Sequence, residues 1–174
     1  MELKDAVSKA IRDIPDFPQK GVIFKDITPL LSDINLYNEV TDNLATKFKN
    51  KNITKVAGLE ARGFLFGISV AQKLNVPFIP IRKKGKLPYK TVSADYALEY
   101  STATIEMHED AISETDNVLI VDDLLATGGT VSAAIELIKK LKGTVAGCAF
   151  VTELLFLHGA DKLNGIDCYS IVKF

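Results

Sequence analysis

A chain of 174 residues is long enough for one domain with a full core. Its 21 basic and 22 acidic side chains leave a net charge of −1, which argues against a general polyanion binder but not against a local basic site. With 47% hydrophobic and 25% charged residues, and no apolar run approaching about 18 residues, the composition is that of a soluble globular protein with no membrane span expected.

The opening MELKDAVSKAIRDI has mixed charge and no apolar centre, so no signal peptide is expected and the cytoplasm is the default location. Leu3, Val7, Ala10, Ile11 and Ile14 fall at helical spacing and predict an amphipathic helix. PDFPQKGVIFKDITP follows, and its prolines with Gly21 forbid a long helix and predict an ordered loop. Leu36, Val40, Leu44 and Phe48 mark a second helix. The pattern then alternates: strand KVAGL (55–59), helix GFLFGISVAQKL (63–74), strand PFIPI (77–81), strand NVLIV (117–121), a helix over 129–143 stopped by Gly143, strand TVAGCAFVT (144–152) and strand DCYSIVKF (167–174). This order predicts an α/β fold with a mostly parallel central sheet flanked by helices. DYALEY (95–100) and TATIEMH (102–108) alternate apolar with polar residues, which predicts an antiparallel hairpin lying outside the main sheet. Cys148 and Cys168 sit among apolar or β-prone neighbours and read as buried reduced thiols. His108 and His158 form no ligand spacing with them and read as surface or loop residues, so no zinc or iron site is expected.

The stretch VLIVDDLLATGGT (118–130) carries the clearest chemistry. A buried strand, Val118 to Val121, runs into Asp122 and Asp123, and ligands of open α/β sheets bind beyond the carboxyl ends of strands. Gly128 and Gly129 permit a backbone that wraps an anion, the following helix adds its positive end, and Thr127 and Thr130 add hydroxyl donors. The lysine of a nucleotide-triphosphate loop is absent. A lone TGGT would more often be a plain strand–turn–helix with an acid cap. The apolar strand, acid pair and diglycine at fixed offsets shift the reading to an anion site beside two carboxylates.

That stretch resembles the phosphoribosyl-pyrophosphate (PRPP) motif of type I phosphoribosyltransferases. FPQKGVIFKDITPLL (17–31), AGLEARGFLFG (57–67), IRKKGKLP (81–88) and ALEY (97–100) resemble, in order and spacing, the adenine phosphoribosyltransferase family, from about residue 11 to residue 174. The resemblance implies a single type I phosphoribosyltransferase-like domain over 1–174, with an N-terminal hood over about 1–34 and a hairpin lid over about 83–109. It implies transfer of the 5-phosphoribosyl group from PRPP to adenine, giving AMP and pyrophosphate, with Mg2+ and a homodimeric state. The charge balance and the lack of a long apolar run predict no nucleic-acid or membrane partner.

Residue by residue, the resemblance places Asp122 and Asp123 on the ribose hydroxyls, with a share in holding Mg2+ that is otherwise bound through substrate and water. It makes Ala126, Thr127, Gly128, Gly129 and Thr130 the phosphate cradle. Glu60, Ala61 and Arg62 become a pyrophosphate loop with a cis peptide at Glu60–Ala61, where Gly58 and Gly63 allow tight turns and Arg62 offers a planar donor fork. Arg82, Lys83 and Lys86, by composition alone a solvated basic cluster, become contacts of the leaving group. Glu99, on its own an exposed strand residue, becomes the general acid/base, with Arg62 as the other catalytic residue and Tyr100 a lid residue. Ser101 stands where relatives often have glycine. Val22 and Lys25 read the adenine edge through their backbones, Phe24 stacks on the base, and Leu154 covers its other face; for Phe24 alone a core role is the plainer reading. Leu155, where relatives more often carry a small polar residue, predicts a more apolar wall. Two alternatives stand beside this reading. One is transfer to hypoxanthine, guanine or xanthine. The other is a non-catalytic PRPP-sensing regulator, which would need a nucleic-acid-binding surface that this length and charge do not supply.

Overall fold

The computed structural model describes residues 2–97, 102–163 and 165–174. Helix α1 (Leu3–Ala10) opens the chain, and strands β1 (Arg12–Pro15) and β2 (Ile23–Asp26) pair antiparallel as a separate two-stranded sheet. A helical turn α2 (Thr28–Leu31) leads to helix α3 (Ile34–Phe48), whose N-terminus is capped by the Asp33 carboxylate accepting from the backbone N–H groups of Asn35 and Leu36. Then come β3 (Lys55–Leu59), α4 (Arg62–Leu74), β4 (Phe78–Lys83), β5 (Thr91–Ala97), β6 (Thr102–His108), β7 (Asn117–Leu125), α5 (Gly129–Lys140), β8 (Thr144–Glu153), two 3-10 turns over 155–157 and 159–163, and β9 (Cys168–Lys173).

The main sheet has seven strands in the order β5-β6-β4-β3-β7-β8-β9. Strands β4, β3, β7, β8 and β9 run parallel, and β6 and β5 join antiparallel. Alternation along β7 explains the layering. Leu119 and Val121 point to a core shared with α1, α3 and α4, including Val7, Leu44, Phe48 and Phe66. Val118 and Ile120 point to a second core under α5, including Val131, Ile135, Ile138 and Phe150. A central parallel strand covered on both faces has no polar side to show, which is why VLIV reads as an unbroken apolar run. Each fully buried Leu or Phe contributes about 1.5–3 kcal/mol of burial free energy to this arrangement.

Several expectations need correction. The opening helix ends at Ala10, and Ile14 lies in β1, because Pro15 and the pairing with β2 favour extended chain. The segment predicted as a loop therefore supplies half of a hairpin. The 95–108 hairpin does not lie outside the main sheet: β4 continues past β3 through Arg82 and Lys83, and these pair with Glu106 and Ile105 of β6. Strand β7 does not stop before the acids but runs on to Leu125, because β8 is long enough to pair with Asp122, Leu124 and Leu125. Finally, α5 ends at Lys140, and Lys142 rather than Gly143 takes the left-handed conformation (φ 65°) that reverses the chain.

Cys148 is buried, Cys168 half-buried, and both are free, facing each other in register across β8 and β9. Burial pushes the Cys148 thiol well above its ordinary range and the Cys168 thiol up to about 11, so both remain protonated near neutral pH. His158 is exposed as expected. His108 is not a loop residue: it is half-buried at the end of β6, with its ring edge-to-face against Tyr89.

Candidate active site

The site forms where the strand order switches, between the carboxyl ends of β3 and β7. Their register sets Gly58 opposite Val121, so residues 60–62 emerge beside Asp122 and Asp123. The Glu60–Ala61 peptide is cis, as the resemblance implies, and so is Phe17–Pro18. Gly58 and Gly63 do not serve a turn with positive φ; they allow close approach. A Cβ on Gly63 would lie 2.7 Å from Asp122 Oδ1, and one on Gly58 would lie 2.6 Å from the Phe78 ring. The start of α4 can therefore sit directly against the acid pair only because residue 63 has no side chain.

Arg62, the first residue of α4, places its Nε 3.0 Å from Asp123 Oδ2. Its Nη1 donates to the Lys25 carbonyl at 3.2 Å, and its guanidinium lies 4.9 Å from the Phe24 ring centroid. One side chain thus joins the pyrophosphate-loop candidate, the acid pair and strand β2. Asp122 Oδ1 accepts from the Asp123 backbone N–H at 2.9 Å. Burial, then the neighbouring Asp123 charge, push the Asp122 carboxyl well above the usual range. Burial also raises Asp123, against the pull of Arg62. A single guanidinium serving two crowded carboxylates leaves negative charge uncompensated.

Glu60 points away from this pair. Its carboxylate accepts from Arg82 Nη2 at 3.0 Å and from the Lys83 backbone N–H at 2.9 Å, and the Arg82 bond first holds its carboxyl below the usual range. Arg82 also donates to the Lys86 carbonyl, and the Glu106 carboxylate accepts from the Gly85 N–H. These bonds brace the turn that carries Lys83 and Lys86, whose side chains are exposed.

The cradle candidate, residues 126–130, is held by an interlock that the local motif does not announce. Gly128 has φ 77°, and a Cβ there would overlap the carbonyl of Gly159. A Cβ on Gly159 would in turn overlap the carbonyl of Ala126. Two backbones touch here, and neither residue tolerates a side chain. The hairpin also reaches the cradle: a Cβ on Gly129 would stand 3.4 Å from the Tyr96 ring and 3.6 Å from the Ala97 carbonyl. Glu99, Tyr100 and Ser101 lie outside the described residues.

Beside the cradle is a cleft of about 360 Å³, lined by Gly21, Val22, Ile23, Lys25, Thr127, Leu154, Phe156, Leu157 and Phe174. This volume falls within the range of small-molecule sites. Val22, Lys25 and Leu154 meet there, and Thr127 links the cleft to residues 126–130. Phe24 does not line it; its ring packs edge-to-face on Phe17 and faces Arg62. Leu155 does not line it either, being half exposed, and the apolar wall comes instead from Phe156 and Leu157. A more open groove of about 440 Å³ between α1 and α3, lined by residues such as Lys9, Asp33 and Glu39, lies apart from these groups.

Residues 28–164 match the family described as phosphoribosyl transferase domain. The chain belongs to the phosphoribosyltransferase family. Among phosphoribosyltransferases, it is 53% identical over 173 residues to the adenine phosphoribosyltransferase of Halothermothrix orenii, covering 99% of each chain. It is 54% identical over 164 residues to that of Nitrosococcus oceani, covering 94% of this chain and 96% of the other. Its fold matches the crystal structure of adenine phosphoribosyltransferase from Thermoanaerobacter pseudethanolicus with a TM-score of 0.96 at 48% identity, over 99% of this chain and 100% of the other. It also matches the Saccharomyces cerevisiae enzyme complexed with an imino-altritol bisphosphate and adenine, with a TM-score of 0.91 at 37% identity over 97% and 98%. The likeness thus spans the N-terminal segment, the sheet and strands β5 and β6 alike.

Proposed function

We propose that this chain transfers the 5-phosphoribosyl group of PRPP to adenine, releasing AMP and pyrophosphate. The observation that carries the reading is the convergence of the acid pair, the 126–130 cradle and Arg62 beside a cleft of about 360 Å³. The near-full-length likeness to adenine phosphoribosyltransferases supports it.

In this reading Ala126, Thr127, Gly128, Gly129 and Thr130 take the 5′-phosphate at the start of α5, and Asp122 and Asp123 accept hydrogen bonds from the ribose hydroxyls. The fixed phosphate is remote from the reacting carbon, so its binding energy orients that carbon. The bond from the anomeric carbon to pyrophosphate breaks ahead of attack by adenine N9, giving a transition state of oxocarbenium character. Arg62 turns from Asp123 to the departing pyrophosphate, joined by Lys83 and Lys86, while Glu60 holds Arg82 in place. Glu99 takes the imidazole proton of the base, and Tyr100 and the rest of the lid keep out water that would hydrolyse PRPP. Val22 and Lys25 read the purine edge and Leu154 covers one face. Phe24 reaches a stacking position when its ring leaves Arg62.

The uncompensated charge at Asp122 and Asp123 fits a hydrated Mg2+ held mainly by substrate oxygens. When bound, the ion neutralises charge on the leaving pyrophosphate.

The homodimer belongs to the same reading. Leu65 and Ile68 of α4 and Ile34 of α3 are 44%, 46% and 64% exposed. The Tyr37 hydroxyl donates to the Leu65 carbonyl and shares a bond with Ser69, joining these helices beside that face. Such an apolar face suits an isologous contact. By sedimentation the protein should run at twice the chain mass and Ile68→Glu as a monomer; a monomeric wild type would contradict this. Cytoplasmic location, with no nucleic-acid or membrane partner, completes the reading, supported by the −1 net charge, the two free thiols and the lack of any described helix long and apolar enough to cross a membrane.

The test is conversion of PRPP and adenine, with Mg2+, into equal amounts of AMP and pyrophosphate. A protein that PRPP stabilises against heat but that consumes no base would be a PRPP-binding protein without transferase activity.

A further inference from the structure

The base cleft lacks the aromatic wall that the sequence puts forward, since Phe24 faces Arg62 and Phe17. Two other phenylalanines line it, Phe156 and Phe174. Phe156 is 69% exposed. Phe174 is half-buried and held on both sides of its peptide backbone. Its N–H donates to the Glu153 carbonyl at 2.9 Å, and its carbonyl accepts from the Leu155 N–H at 2.8 Å. These two bonds bracket Leu154, so Phe174 and Leu154 are set as one wall. The preceding residue is anchored as well, with Lys173 Nζ 3.1 Å from the buried Glu153 carboxylate.

The ring is fixed from the opposite side of the cleft. Lys25 Nζ sits 4.0 Å from the Phe174 ring centroid and 2.7 Å from Asp13 Oδ1, and the Lys25 side chain is 12% exposed. An ammonium held by a carboxylate and set over an aromatic face gives the ring a defined orientation. The contact also ties β2, whose backbone borders the cleft, to the end of β9.

We propose that Phe174 is a specificity-determining residue of the base cleft: its ring forms a preset aromatic wall for a flat, neutral heterocycle, and Lys25, through its ammonium, is the positioning residue for that ring. The inference rests on the reading of this cleft as the adenine site and adds a residue, distant in sequence from the other motifs, that sets affinity for the base without touching PRPP.

The test is steady-state kinetics of wild type, Phe174→Ala, Phe174→Leu and Phe174→Tyr, with Leu154→Ala alongside. In Phe174→Ala the KM for adenine rises about tenfold, the scale of one lost aromatic contact and its apolar area. The KM for PRPP and kcat stay within about twofold, and Phe174→Tyr, which keeps the ring, behaves like wild type. If Phe174→Ala does not fold, Phe174→Leu, which keeps the apolar bulk but not the flat face, decides on the same criteria. An adenine KM within about twofold of wild type in both truncated variants, while Leu154→Ala raises it, overturns the inference and leaves the cleft reading standing. Equal rises in both KM values with a lowered melting temperature also overturn it, showing a structural role only. If the wild type consumes no adenine, the cleft reading itself fails and the inference with it.

Discussion

Asp122→Asn combined with Asp123→Asn weakens PRPP binding by about a hundredfold, because a hydrogen bond to a charged carboxylate contributes about 1.5–3 kcal/mol against about 0.5–1.5 kcal/mol for a neutral acceptor, and two are replaced. The single substitutions separate function from stability. Asp122 carries a carboxyl raised by burial and by the Asp123 charge, so its charged form is disfavoured in the folded state. The sign follows from linkage: a group whose folded pKa lies above its unfolded value favours the folded state at low pH, and that advantage is lost as pH rises through the folded value. Near neutral pH the ligand-free protein therefore carries the cost of two adjacent carboxylates. Asp122→Asn removes that cost while keeping an oxygen for the Asp123 N–H, and raises the melting temperature by a few degrees. Asp123→Asn does not, because it strands the half-buried Arg62. Calorimetric titration with PRPP and melting curves between acid and neutral pH measure both effects. Retained PRPP affinity in the double variant would remove the ribose assignment.

Glu99→Gln lowers kcat by about a hundredfold to ten-thousandfold, the usual contribution of a positioned proton-transfer group, while PRPP binds as in wild type. The amide fills the same space but cannot take the proton that adenine loses when N9 bonds to the ribose. At the base of the hairpin, Tyr96 and Ala97 lie against Gly129. The informative comparison is kcat against PRPP dissociation constant. Equal losses in both would mean that Glu99 supports substrate binding rather than proton transfer.

Much of this architecture is legible in the sequence because it depends on local patterns. The apolar run Val118–Val121, the alternation of helices and strands, and the offsets from Asp122 to Thr130 each follow from neighbours within a few residues. What escapes is contact between distant backbones. Nothing near Gly159 signals that it must lie flat against Ala126 and Gly128, and nothing in CYSIVKF signals that Phe174, continuing the β8–β9 ladder, lies beside Leu154 and Lys25. Strand β7 exceeds its apolar run because pairing with β8, not side-chain hydrophobicity, carries Asp122 to Leu125. The hairpin joins the sheet for a similar reason, since Arg82 and Lys83 are polar yet extend β4. Phe24 is a stacking candidate in the sequence only through the resemblance, and the partner it meets in the structure, Arg62, comes from another element and holds it by cation–π contact.

The most direct measurement is kcat/KM for adenine, hypoxanthine, guanine and xanthine, each with saturating PRPP and Mg2+. Adenine should exceed every oxopurine by at least about a hundredfold, because a base whose polar edge mismatches fixed backbone groups leaves them unpaired. An oxopurine used as well as adenine would contradict it.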